Sequence, residues 1–179
     1  MFLIVGLGNF GREYENTFHN VGFMALDELC RRNDIEIRKN KCNSLIFEGN
    51  LFGEKVVLAK PQTYMNNSGI AVNLLKNAYK PENIIIIYDD IDLPLSTFRF
   101  REKGSAGTHN GMRSVVSLLG TQEIQRLRIG IKPEREIYNL ADYVLSKGKT
   151  NEQEKLDEAI NNAVDFLEMH IKNKFKKAN

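Results

Sequence analysis

Ile84-Ile85-Ile86-Ile87-Tyr88, followed at once by Asp89-Asp90-Ile91-Asp92, is the stretch on which the fold turns. Four consecutive isoleucines leave no polar face. A helix of this kind would need a longer apolar run, whereas a strand covered on both sides needs only this much. The segment therefore predicts a central strand of an α/β sheet. The acidic residues fall at its carboxyl end, where open α/β sheets build their sites.

The neighbouring segments agree with that reading. Phe2 to Leu7 is a second nearly continuous apolar run, again ending in glycine. Gly6 to Asn20 is rich in Gly, Asn and Thr and reads as loop. Val21 to Arg32 carries Val21, Met24, Ala25 and Leu29 at helical spacing. Ser44 to Gly49 and Lys55 to Lys60 read as a strand pair, with Asn50 and Gly53 in the turn. Ser68 to Ala78 predicts a helix with Ser68 as its N-cap. Thr97 to Lys103 alternates, with Phe98 and Phe100 on one face and Arg99, Arg101 and Lys103 on the other. The loop from Gly104 to His109 leads into a short helix. Arg126 to Ile131 alternates again, and Glu152 to Lys172 is an amphipathic helix before the basic residues Lys174, Lys176 and Lys177. Strands and helices interleave with no repeat and no linker. The prediction is one α/β domain over residues 1–179, a mixed twisted sheet flanked by helices.

Composition narrows the class. Of 179 residues, 42% are hydrophobic and 27% charged, which suits a folded domain and not a disordered chain. The formal net charge of +2 neither requires nor forbids a nucleic-acid partner, so the placement of Lys and Arg decides. Cys30 and Cys42 form no CxxC and are too few for a disulfide framework. No basic leader precedes the first apolar run, and no apolar stretch is long enough for a membrane span. The expectation is a cytoplasmic protein with free thiols and no membrane association.

Six features could carry chemistry. Gly6-Leu7-Gly8-Asn9-Phe10-Gly11 matches G-x-G-x-x-G, the dinucleotide fingerprint. That fingerprint requires a helix to begin at the glycines. Arg12 to Thr17 shows no apolar stripe, and Arg38 and Lys39 stand where a ribose-binding carboxylate would be needed. A tight turn at the edge of a site is the better use of these glycines. His19 lies in the polar loop Thr17-Phe18-His19-Asn20 and can serve as a base at neutral pH. For a lone histidine, a capping or surface role is the commoner one. Asp89, Asp90 and Asp92 could bind a metal, orient a histidine, or serve only as turn and cap residues. Tyr64 to Gly69 and Thr108 to Gly111 each place Asn side chains before a helix, as caps or as donors to an oxyanion. Arg99, Arg101 and Lys103, with Arg126 and Arg128, would make a phosphate-binding patch if their strands are neighbours, and ordinary solvated faces if not.

In chain order, Val5 to Asn9, Tyr14 with His19 to Gly22, Lys60 to Asn66, Asp89 to Pro94, Gly107 to Gly111 and Arg126 to Ile131 resemble the corresponding segments of bacterial peptidyl-tRNA hydrolases. Any one match is weak, but six in the right order are specific. The resemblance implies a monomeric α/β enzyme. It would hydrolyse the ester between peptide and tRNA and release free tRNA and an N-blocked peptide. His19 would be the base that activates water, and Asp89 would hydrogen-bond it. Asn9 would distinguish N-blocked substrate. Asn66 and Asn110 would hold the substrate end and the water, Tyr14 and Tyr64 would contact the acceptor terminus, and Arg101 with Arg128 would clamp a tRNA phosphate. No metal and no organic cofactor is implied. Two rivals remain: a non-catalytic RNA-binding module on the same fold, and a dinucleotide oxidoreductase.

The chain departs from the family pattern in three places. Leu95-Ser96 stands where a Pro-Gly turn is common. Thr108 replaces a glycine, and its β-branch restricts the backbone of that loop. The C-terminal region matches weakly.

Overall fold

In a computed structural model that describes residues 1–179, the isoleucine run lies in the middle of a seven-stranded sheet. The strands are β1 (Phe2–Gly6), β2 (Lys39–Lys41), β3 (Ser44–Leu51), β4 (Glu54–Pro61), β5 (Asn83–Pro94), β6 (Phe98–Arg101) and β7 (Gln125–Lys132). Their spatial order is β2-β3-β4-β1-β5-β7-β6. Strands β4, β1, β5 and β7 run parallel, while β2, β3 and β6 add antiparallel edges, so the sheet is mixed as predicted.

Five helices cover the sheet: α1 (Val21–Asn33), α2 (Ser68–Tyr79), α3 (Asn110–Leu119), α4 (Leu140–Val144) and α5 (Thr150–Ala178). The alternation of each central strand divides the core in two. Phe2, Ile4, Ile85, Ile87, Leu127 and Ile129 pack toward α1 and α5. Leu3, Val5, Ile86 and Tyr88 pack toward α2 and α3. A strand whose successive side chains are all buried must be covered on both faces, and that is why these runs have no polar period. No helix is long and apolar enough to cross a membrane.

The differences from expectation are local. The short exposed strand β2 and the five-residue helix α4 carry too little apolar pattern to be read from sequence. Strand β5 continues past Tyr88 to Pro94, because Asp89 and Asp90 still pair with Ile129 and Gly130 of β7. Ser68 is not the N-cap of α2. It is the first helical residue, and its hydroxyl donates to the Met65 carbonyl oxygen at 2.6 Å. Helix α5 begins at Thr150 and runs to Ala178, longer at both ends than its apolar stripe.

The glycine motif after β1 does not open a helix. Two short 3₁₀ turns, Arg12–Tyr14 and Phe18–Asn20, separate it from α1. A Cβ on Gly6 would lie 2.2 Å from the Gly22 carbonyl oxygen, so the glycines permit a close crossing of α1 over β1. The pyrophosphate geometry of the dinucleotide fingerprint is therefore not formed.

Candidate active site

The direction in which strands are added to the sheet reverses at β1. After α1 the chain builds β2 to β4 on one side, and after α2 it returns to place β5 on the other. The crevice at such a switch point opens beyond the carboxyl ends of the parallel strands. Here it is a cavity of about 770 Å³, whose lining includes Asn9, His19, Asn66, Asp89, Asn110 and Arg128.

His19 sits in the 3₁₀ turn that leads into α1. Its Nδ1 lies 2.9 and 3.1 Å from the two carboxylate oxygens of Asp89, a residue 70 positions away at the end of the apolar run of β5. The turn is pinned from the side. Phe18 is fully buried, stacks on Tyr143 of α4 at 4.5 Å between ring centroids, and donates its N–H to the Ser146 carbonyl oxygen. With Nδ1 facing Asp89, the other ring nitrogen has no protein hydrogen bond, and His19 borders the cavity.

Asp89 is 3% exposed and has a second histidine on it. His109 Nε2 lies 2.8 Å from Asp89 Oδ1, while the Met112 backbone N–H donates to His109 Nδ1 at 3.1 Å. The Met112 contact requires a lone pair on Nδ1, so Nε2 carries the hydrogen and donates to the carboxylate. His109 thus caps α3 and holds Asp89 with one ring. The sequence reading assigns His109 no role. Its only clue there is its position directly before Asn110 at the start of a helix. Burial opposes ionisation of Asp89, but the adjacent His109 and His19 outweigh it and hold its carboxyl far below the usual carboxylate range. For His19, burial disfavours the charged form. The charge and hydrogen bond of Asp89 outweigh that, leaving its pKa above the ordinary histidine value. Among His19, Asp89 and His109 the candidate metal-ligand atoms lie within 4.8 Å of one another. Their nitrogens, however, meet Asp89 at hydrogen-bond distance, and His109 has its other nitrogen engaged. The arrangement is that of a carboxylate shared by two imidazoles.

Asn9 is 8% exposed, and its neighbours fix which way it points. Its Oδ1 accepts from the Met65 N–H at 2.7 Å, while its backbone exchanges two hydrogen bonds with the Asn20 side chain. With the oxygen committed, the amide nitrogen remains as the group offered to the cavity. Asn66 and Asn110 are exposed at the same cavity, on the turn before α2 and at the first residue of α3. Capping of α3 falls to His109, which leaves the Asn110 side chain free of that duty. Beside Asn9, Phe10 stacks on Tyr64 at 4.3 Å and Tyr14 meets Tyr64 edge-on at 6.4 Å. Tyr14 and Tyr64 thus form an aromatic surface, with Tyr64 47% exposed.

The two loops where the sequence departs from the expected pattern have defined backbone conformations. Gly107 takes the left-handed φ of +58°, and Thr108 is not among the residues of positive φ, so its β-branch is tolerated. Ser96 has φ +70°, the conformation a glycine in a Pro-Gly turn would take.

The basic residues do share a face. Strands β6 and β7 pair antiparallel with Arg99 opposite Arg128 and Arg101 opposite Arg126. Arg126 is not available to a ligand: it is 2% exposed and donates to the carbonyls of Ser105, Gln122 and Ile124. Arg99 and Arg101 are exposed, and Arg128 is partly exposed and paired with Asp90.

A family model for peptidyl-tRNA hydrolase matches residues 3–179. A peptidyl-tRNA hydrolase of Chloroflexus aurantiacus is 48% identical over 175 residues, covering 96% of this chain and 93% of that protein. One from Thermoanaerobacter sp. (strain X514) is 48% identical over the full length of both chains. The crystal structure of the peptidyl-tRNA hydrolase of Acinetobacter baumannii superimposes with a TM-score of 0.90 at 35% identity, covering 99% of this chain and 92% of that one. A family model matched over nearly the whole chain, and relatives 48% identical over nearly all of their own length, show that the chain belongs to the peptidyl-tRNA hydrolase family.

Proposed function

We propose that this protein hydrolyses the ester joining a peptide to the terminal ribose of tRNA, with His19 as the general base. The observation that carries the reading is His19 held through Nδ1 on buried Asp89, with its other nitrogen left for the cavity. In the step proposed, Nε2 takes a proton from water and the water oxygen attacks the ester carbonyl carbon. The imidazolium formed is stabilised by Asp89. The developing oxyanion is met by asparagine amides, among them Asn9, whose oxygen is committed to the Met65 N–H and whose amide nitrogen is left to donate. Collapse breaks the bond to the ribose oxygen, and the proton on His19 passes to that oxygen. The products are free tRNA and an N-blocked peptide.

Asn66 and Asn110 hold the substrate end and the water, and Tyr14 with Tyr64 contacts the acceptor terminus. Arg101 and Arg128 contact a tRNA phosphate, which gives affinity without sequence preference. The enzyme works as a cytoplasmic monomer without a metal or organic cofactor. Turnover of N-acetyl-aminoacyl-tRNA tests the reading directly. Loss of the general base in His19→Ala should slow it by about 10²–10⁴-fold. Activity of that variant within about threefold of wild type, far below the range for a lost base, would remove His19 from the role.

A further inference from the structure

Arg128 and Asp90, which both line the cavity, form an ion pair. Arg128 Nη1 donates to Asp90 Oδ2 at 2.9 Å, and this is the one hydrogen bond of the guanidinium. Its Nε is buried without a partner. Asp90 is itself held, because its Oδ1 accepts from the Asp92 backbone N–H at 2.8 Å. It is 9% exposed and lies on β5, next to the catalytic carboxylate and beside β7. Directly across from Arg128 stands Arg99, and like charges at opposed positions of a strand pair repel.

A carboxylate in a site meant for a polyanion is unfavourable by charge alone. Its position gives it another use. A free arginine loses much rotamer freedom when it engages a phosphate. One anchored at a single nitrogen by a rigid carboxylate has lost that freedom already, and its second terminal nitrogen stays uncommitted. The contact also offsets the repulsion from Arg99 that would swing the side chain away.

We propose that Asp90 is a positioning residue for tRNA binding, which holds Arg128 pre-ordered toward a phosphate at the acceptor end. This rests on the reading of Arg128 as a phosphate contact. The two ideas about Asp90 predict opposite signs. Electrostatics alone makes Asp90→Ala bind tRNA more tightly. Positioning makes it bind more weakly, by about three- to tenfold, the cost of ordering one long side chain on binding.

The experiment measures the Kd of uncharged tRNA across a salt series for the wild type, Asp90→Ala, Asp90→Asn, Arg128→Ala and the double variant. Positioning predicts that Asp90→Ala weakens binding, and that Asp90→Asn, which keeps one acceptor, falls between it and the wild type. It also predicts that the double variant is no weaker than Arg128→Ala, because Asp90 acts only through Arg128. Should Asp90→Ala fail to fold, the Asp90→Asn comparison carries the same sign. Tighter or unchanged binding in the Asp90 variants, with Arg128→Ala weakened, overturns the positioning role and leaves the clamp intact. Unchanged binding in Arg128→Ala overturns the clamp and the positioning role with it.

Discussion

At the scale of single residues, the site depends on one buried carboxylate serving two imidazoles. The pH profile should report it. Only neutral His19 can accept a proton, so kcat/KM should rise with pH. The midpoint of that rise should lie above the ordinary histidine value, because Asp89 outweighs burial in raising the pKa of His19. Asp89→Asn removes the charge and leaves burial, so the midpoint should move down and the rate should fall on the order of a hundredfold. A midpoint that stays put would show that Asp89 does not set the basicity of His19. Stability follows the same linkage with the sign fixed by each shift. The contribution from raised His19 is present at low pH and fades as pH climbs through its folded value. That from lowered Asp89 is present above the normal carboxylate pKa and fades only in strong acid. His109 has two separable duties. His109→Ala should cost about 0.5–2 kcal/mol through the lost cap, and activity besides. His109→Asn keeps a capping acceptor and should recover stability without recovering activity; thermal unfolding and turnover measured side by side distinguish them.

At the scale of elements, the placement of His19 depends on how closely α1 lies on β1 and β5. A Cβ on Gly22 would come within 2.4 Å of the Ile87 carbonyl oxygen and 2.5 Å of the Leu7 nitrogen. These are backbone atoms and cannot rotate aside. Gly22→Ala must push α1 outward, and the turn carrying His19 immediately precedes that helix. The expected loss is about 1–3 kcal/mol or more, with a fall in kcat as His19 leaves Asp89. Native-like activity in a destabilised variant would mean that the turn is positioned independently of the helix. Helix α4 braces the same turn from the other side through the Phe18–Tyr143 stack, and Tyr143 is in turn held by its hydroxyl donating to the Ile131 carbonyl oxygen. So His19 is set between α1, which follows it directly, and α4, which lies far along the chain.

At the scale of the whole molecule, charge is distributed unevenly although its sum is small. The net charge of +2 conceals exposed Arg99, Arg101 and Lys103 on one edge of the sheet. A contact to phosphate there releases condensed counterions, so Arg101→Ala should lower the slope of log K against log salt by about 1. A slope equal to that of the wild type would place Arg101 outside the contact. Binding measurements at a single salt concentration would not separate these outcomes.

What the sequence determined by itself was whatever short-range pattern controls. The doubly covered strands were legible because Leu3 to Val5 and Ile84 to Ile87 have no polar period, and a chain with that pattern must bury both faces. The helices α1, α2 and α5 were legible from apolar spacing, and the roles of His19, Asp89 and Asn9 were suggested by the order of motifs. Tertiary structure decided the rest, because contacts across 70 residues leave no trace in local pattern. It brought His19 to Asp89, turned His109 from a bystander into a second partner of that carboxylate, and buried Arg126 under backbone carbonyls while leaving Arg101 in water. It also paired Asp90 with Arg128. Each of these is a matter of which face a residue turns to which neighbour, and only the packing of strands and helices on one sheet determines that.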